Sequence, residues 1–107
     1  MKRGDVIMIA LSGDYGKPRP GVIVQSDLFL DTGSVTILPL TSHFIDAPLF
    51  RIIIEPSTSN GLNQTSYIMI DKLYTTPREK IGNVIGSLEL KTMAEIARAL
   101  ALFIGIA

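Results

Sequence analysis

The apolar residues of this chain arrive in short, nearly continuous runs, each closed off by glycine or proline, until the period changes near residue 88. Runs of four to eight apolar residues are too short for stable helices and suit strands buried on both faces. Residues 6–11 (Val-Ile-Met-Ile-Ala-Leu) form the first, between Gly4-Asp5 and Ser12-Gly13. Residues 13–20 follow as a loop, with two glycines and two prolines in eight positions. Strands are then expected at 21–26, 35–40, 51–55 and 66–73, with a short sixth at 82–85. Asp31-Thr32-Gly33-Ser34 is the turn before the third strand, and 56–63 is the loop after the fourth. Pro39 cannot donate to a ladder, so that end of the third strand is expected at an edge or bulge.

The end of the chain reads differently. Met93, Ile96, Ala97, Leu100, Phe103 and Ile104 form the stripe of an amphipathic helix, with Ser87 or Glu89 as its N-cap. From residue 99 onward only Ala, Leu, Phe, Ile and Gly occur. A small domain cannot surround such a segment, so it either packs across a dimer seam or stays partly exposed. The alternative is a deep core helix with a frayed tip. Five or six short strands followed by one helix imply a mainly β fold, a small partly open barrel or curled sheet. At 107 residues, one domain spanning 1–107 is expected.

Composition removes whole classes of chemistry. Hydrophobic residues make up 47% and charged residues 19%, which excludes a disordered chain. There is no cysteine and one histidine, so thiolate nucleophiles, disulfides and multi-histidine metal sites are excluded, and neither metal nor cofactor is expected. Ten basic and ten acidic residues cancel, so an anionic partner must be held by a local patch. No segment approaches the roughly 18 apolar residues of a membrane span, and residues 1–11 lack the core and cleavage site of a signal peptide. A soluble cytoplasmic protein without membrane contact is the expectation.

Common enzyme signatures (phosphate-binding loops, dinucleotide fingerprints, zinc motifs, nucleophile elbows) are absent. Three stretches carry polar chemistry instead. In Pro18-Arg19-Pro20-Gly21-Val22-Ile23-Val24-Gln25 an arginine is launched from a backbone stiffened by two prolines, and its planar fork suits a pair of phosphate oxygens. In isolation such an arginine is most often a solvated strand-start residue. In Leu38-Pro39-Leu40-Thr41-Ser42-His43 two hydroxyls and an imidazole follow a buried strand where it emerges. Hydroxyls can donate to phosphate oxygens and histidine exchanges protons near neutral pH, although a turn bearing an exposed histidine is the plainer reading. In Ile68-Met69-Ile70-Asp71-Lys72-Leu73 an apolar strand ends in a charged pair, ordinarily a rim salt bridge of small value.

Taken in order with Lys2-Arg3-Gly4-Asp5-Val6 at the start, residues 67–76 (Tyr-Ile-Met-Ile-Asp-Lys-Leu-Tyr-Thr-Thr) and a Gly86-Ser87-Leu88-x-x-x-x-Met93 helix start, these motifs resemble the MazF/PemK (Kid) toxins of bacterial toxin–antitoxin systems. The resemblance spans residues 2–106. It implies an SH3-like small β-barrel of the CcdB/MazF/PemK type, acting as a homodimer held in check by a cognate antitoxin. It also implies metal-independent cleavage of single-stranded RNA, commonly mRNA, in which the ribose 2′-hydroxyl attacks the neighbouring phosphorus. Such chemistry asks the protein for a cation, phosphate-orienting donors and proton carriers, but for no nucleophile of its own.

By this resemblance Arg19 is the phosphate clamp and Thr41, with Ser42 beside it, orients the phosphate. Asp71 falls where Kid-type members carry an aspartate base, but Met69 replaces their nearby arginine, so the chain is closer to the Arg/Thr pattern. Asp14 and Tyr15 stand where some members carry a histidine or other polar residues. His43 is then the available proton carrier, and Asp14, Tyr15, Lys17, Gln25 and Lys72 are the expected substrate contacts. Loops 12–18 and 42–50 would wall the groove. Two alternatives share the fold. A CcdB-like gyrase poison depends on a Trp-Gly-Ile ending that this chain lacks. A non-catalytic binding barrel would use aromatic residues such as Tyr15, Phe44, Tyr67 and Tyr74 as a base-stacking platform.

Overall fold

A computed structural model describes residues 1–10 and 17–107. Among the described residues seven strands and one helix run in the order β1 (Asp5–Ala10), β2 (Pro18–Ile23), β3 (Ser34–Thr41), β4 (Arg51–Ile54), β5 (Ser66–Met69), β6 (Tyr74–Pro77), β7 (Ile81–Ser87) and α1 (Leu90–Ile104). Single 3-10 turns lie at Asp27–Phe29, Ile70–Lys72 and Arg78–Lys80. The strands pair antiparallel along the path β4-β5-β3-β2-β1-β7, and β6 joins β3. The fold is mainly β with a C-terminal helix, as the runs and the change of period imply.

The continuity of the apolar runs has a direct cause. Adjacent side chains on a strand face opposite ways, so a run without polar interruptions needs a core on each side. Val6 of β1, Val22 of β2, and Leu38 and Leu40 of β3 enter one cluster, completed by Ile54, Leu62, Ile68, Ile70, Met93 and Ile96. Ile7 and Ile9 of β1, Ile23 of β2, and Val35 and Ile37 of β3 enter a second cluster, covered by Tyr74 and Ile81. The three central strands are therefore sandwiched, and α1 seals only the first cluster, through Met93 and Ile96.

Several boundaries depart from the sequence expectation for tertiary reasons. β2 begins at Pro18, three residues before the expected start, because Pro18 and Pro20 pair with β1 alone and β3 joins only from Gly21. A strand tolerates a residue without an N–H where one side has no partner. Pro39 is buried inside β3, opposite Gly21, and lies at neither edge nor bulge. It sits where β3 changes partner, from β6 at Ser34–Ile37 to β5 at Leu40–Thr41. The expected strand 66–73 is broken by the turn Ile70–Lys72, leaving β5 and an unforeseen β6. Glu89 is the N-cap of α1, and Gly105 closes the helix at φ 84°, with its N–H on the carbonyls of Ala101 and Leu102.

The loop after β4 brings the two ends of the sheet path together. Ser87 N–H on β7 donates to the Ser59 carbonyl at 2.9 Å. Gly61 (φ 70°) lies so close to β7 that an added Cβ would stand 2.0 Å from the Ile85 carbonyl oxygen. Only glycine suits that backbone conformation and that approach. Among the described residues no helix is long and apolar enough to cross a membrane.

Candidate active site

The position of Arg19 and Thr41 follows from register. β2 and β3 pair as Gly21↔Pro39, Val22↔Leu38 and Ile23↔Ile37. Beyond this ladder β2 pairs only with β1 and β3 turns to β5, and Arg19 and Thr41 lie two residues past its last pair on adjoining strands. Both residues line one cleft of about 370 Å³, together with Lys17 and Ser42. Met8, Leu40, Ile85, residues 61–64 and Ser66 complete its lining. An exposed guanidinium, an ammonium and two hydroxyls thus face one concavity, a set that can hold and polarise a phosphodiester.

Thr41 has a second connection. Its Oγ1 accepts the backbone N–H of His43 at 3.1 Å, the short-range bond by which a threonine shapes a turn. The bond fixes the path of the chain as it leaves β3 and so sets where Ser42 and His43 stand. His43 is exposed and does not itself line the cleft.

Besides His43, the structure places three expected site residues away from the cleft. Asp71 lies in the 3-10 turn after β5, where the Arg51 guanidinium grips it in a fork, Nε to Oδ1 at 3.1 Å and a terminal nitrogen to Oδ2 at 3.2 Å. Burial pushes the Asp71 carboxyl pKa up, but the hydrogen bonds and charge of Arg51, its own backbone and the Lys72 charge outweigh this and hold it below its ordinary value. Lys72 is exposed, with its Nζ 3.8 Å from Asp71 and away from the cleft. The Gln25 amide pins the turn before β3, donating to the Phe29 carbonyl at 2.6 Å and accepting the Thr36 N–H at 3.1 Å. Asp14 and Tyr15 lie outside the described residues.

Asn63, Gln64 and Ser66 line the cleft but carry no sequence signal that separates them from turn formers. Asn63 ends the stretch that composition reads as a loop, Gln64 follows it, and Ser66 opens the expected fifth strand. Among the described residues no three His, Cys, Asp or Glu side chains gather as a metal site requires.

Comparison with known proteins places this geometry. The family model described as PemK-like, MazF-like toxin of type II toxin–antitoxin system matches residues 2–104. The chain is 47% identical to a probable endoribonuclease MazF of Mycolicibacterium smegmatis, over 100% of this chain and 99% of that protein. It is similar to a mycobacterial endoribonuclease solved in complex with its cognate antitoxin, at TM-score 0.84 and 26% identity, covering 100% and 97% of the two chains. The toxin MazF-mt6 of Mycobacterium tuberculosis shares the fold at TM-score 0.82 and 23% identity, with 96% and 98% covered. With the family model matching residues 2–104 and a relative 47% identical over the whole chain, the chain belongs to the PemK/MazF family of type II toxins.

Proposed function

We propose that residues 1–107 act as one toxin domain, a metal-independent endoribonuclease that cuts single-stranded RNA, mRNA in particular, at a short sequence and so stops translation. The observation that carries this is the convergence of Arg19 and Thr41, from adjacent strands, on one cleft. The 47% identical relative named as a probable endoribonuclease supports the same reading.

In the reaction, the ribose 2′-oxygen bonds to phosphorus and gives up its proton, while the bond from phosphorus to the 5′-oxygen breaks and that oxygen takes a proton. The products carry a 2′,3′-cyclic phosphate and a 5′-hydroxyl. Negative charge builds on the non-bridging oxygens at the transition state, where Arg19 compensates it and Lys17 holds the neighbouring backbone. Thr41 and Ser42 donate to the phosphate and fix its orientation. His43, two residues beyond Thr41, is the proton carrier once its exposed side chain turns from outside the cleft lining toward the phosphate, and the Asp71 carboxylate is engaged by Arg51 away from this set. The toxin works in the cytoplasm as a homodimer, and a cognate antitoxin covers the cleft and Arg19. The neighbour bound to its antitoxin supports that partnership.

The test is incubation of the purified chain with mixed-sequence single-stranded RNA in EDTA, followed by end-group analysis. Cyclic phosphate ends are expected, and Arg19→Ala should lower the rate by at least about 100-fold. The exposed side chain makes an unchanged circular dichroism spectrum the expectation for that variant. Intact RNA alongside inhibited gyrase would identify a gyrase poison instead, and RNA bound without cutting would identify a binding module.

A further inference from the structure

We propose that Asn63 and Gln64 read the bases of the RNA and so set the sequence at which it is cut, an inference that rests on the ribonuclease reading of the same cleft. Both residues line the same cleft as Arg19, Thr41 and Ser42, and both are exposed. A primary amide presents a donor beside an acceptor, which matches a base edge offering the complementary pair, as the adenine N6–N7 edge does.

The chain has five amide side chains, and their use differs sharply. Gln25 is engaged on both its oxygen and its nitrogen by the turn before β3. Asn60 is buried at 6% exposure, with its oxygen accepting the N–H groups of Ser57 and Leu62 and its nitrogen donating to the Glu55 carbonyl. Asn83 stands on β7, away from the cleft. Asn63 and Gln64 alone combine a place in the cleft wall with amides that make no hydrogen bond to the described residues.

What makes this wall a reader is that it is held in place before substrate arrives. On one side Leu62 is anchored in the larger core cluster, and Gly61 is wedged against the Ile85 carbonyl. On the other, Ser66 is buried on β5 and its Oγ donates to the Gln64 carbonyl at 3.0 Å. Between them Thr65 donates its hydroxyl to the Glu55 carboxylate. An anchored backbone limits where the two amides can reach, and a wrong base within that reach leaves them unpaired.

The experiment sequences the cut ends produced from a random-sequence RNA pool by wild type, Asn63→Ala/Gln64→Ala and Gln64→Glu, at matched extents of digestion. Wild type should show a defined cleavage sequence. The double variant should lose about tenfold of the discrimination at one or two positions of it. Gln64→Glu, which keeps only acceptors, should move the preference at its position toward bases presenting a donor. An unchanged cleavage sequence in both variants overturns the inference. Complete loss of cutting in the double variant overturns it too, since the amides would then serve general binding. Failure of wild type to cut any RNA would instead strike at the ribonuclease reading itself.

Discussion

Asp71 and Arg51 form the best-shielded ion pair among the described residues, with side-chain exposures of 18% and 10%. The fork geometry and the Phe50 ring, 5.8 Å from the guanidinium carbon, tie β4 to the turn after β5. Removing one partner of such a pair leaves the other desolvated without compensation, so Asp71→Asn should cost about 1–3 kcal/mol. The pH dependence has a definite sign. Because the folded carboxyl lies below its ordinary value, the unfolded chain takes up the proton first as pH falls. The contribution is complete above the unfolded value, near about pH 4, and disappears as pH drops through the folded value. Urea midpoints measured from neutral pH downward should fall less steeply for Asp71→Asn than for wild type in that window. Equal slopes would remove the pair from the acid response. At this scale the sequence disclosed residues whose setting is local, since Arg19 between two prolines and Thr41 at a strand exit announce themselves. Asp71 was readable as paired with its neighbour Lys72 but not as gripped by Arg51, because Arg51 is twenty positions away and nothing in either neighbourhood points to the other.

The loop after β4 is the element on which the cleft wall depends, and its one glycine makes it testable. Gly61→Ala combines a left-handed backbone with a Cβ 2.0 Å from a backbone oxygen that cannot move aside independently. A loss of at least about 3 kcal/mol is expected, read as a lowered denaturation midpoint. Gly33→Ala is the matched control, since the added carbon there meets nothing within 4 Å and the backbone is not left-handed. That variant should be neutral or stabilised by up to about 1 kcal/mol, through a less flexible unfolded chain. Equal midpoints for the two variants would show that the loop yields and that the wall is not preset. Elements legible in the sequence were those whose limits are written locally: β1, β4 and α1 fall within one or two residues of expectation. The break between β5 and β6 was hidden because no glycine or proline marks it. Ile70 N–H turns away to the Phe50 carbonyl, and Asp71 turns to Arg51, both long-range contacts.

For the whole molecule, the question is what covers the end of α1. The sequence left two outcomes for this apolar segment, and the structure leaves it open: Leu102 is 60% exposed and Ile106 77%. Phe103 packs partly on Phe50, ring centroids 6.4 Å apart, while Leu49 beside it is also exposed. A hollow of about 300 Å³ is lined by Leu49, Phe50, Leu102 and Phe103, so the patch is shaped rather than scattered. Apolar surface of this continuity on a chain without net charge favours self-association, and closed two-fold pairing is its commonest form. The proposed homodimer therefore places its seam on the last turn of α1. Light scattering after size exclusion should give twice the 11.6 kDa chain mass for wild type. Leu102→Glu/Ile106→Glu should give the mass of one chain with unchanged circular dichroism, because both side chains are largely outside the core clusters. A variant that keeps the doubled mass would put the seam on another face and leave the end of α1 for a different partner. A wild type of single-chain mass would show that this surface does not pair with itself at all.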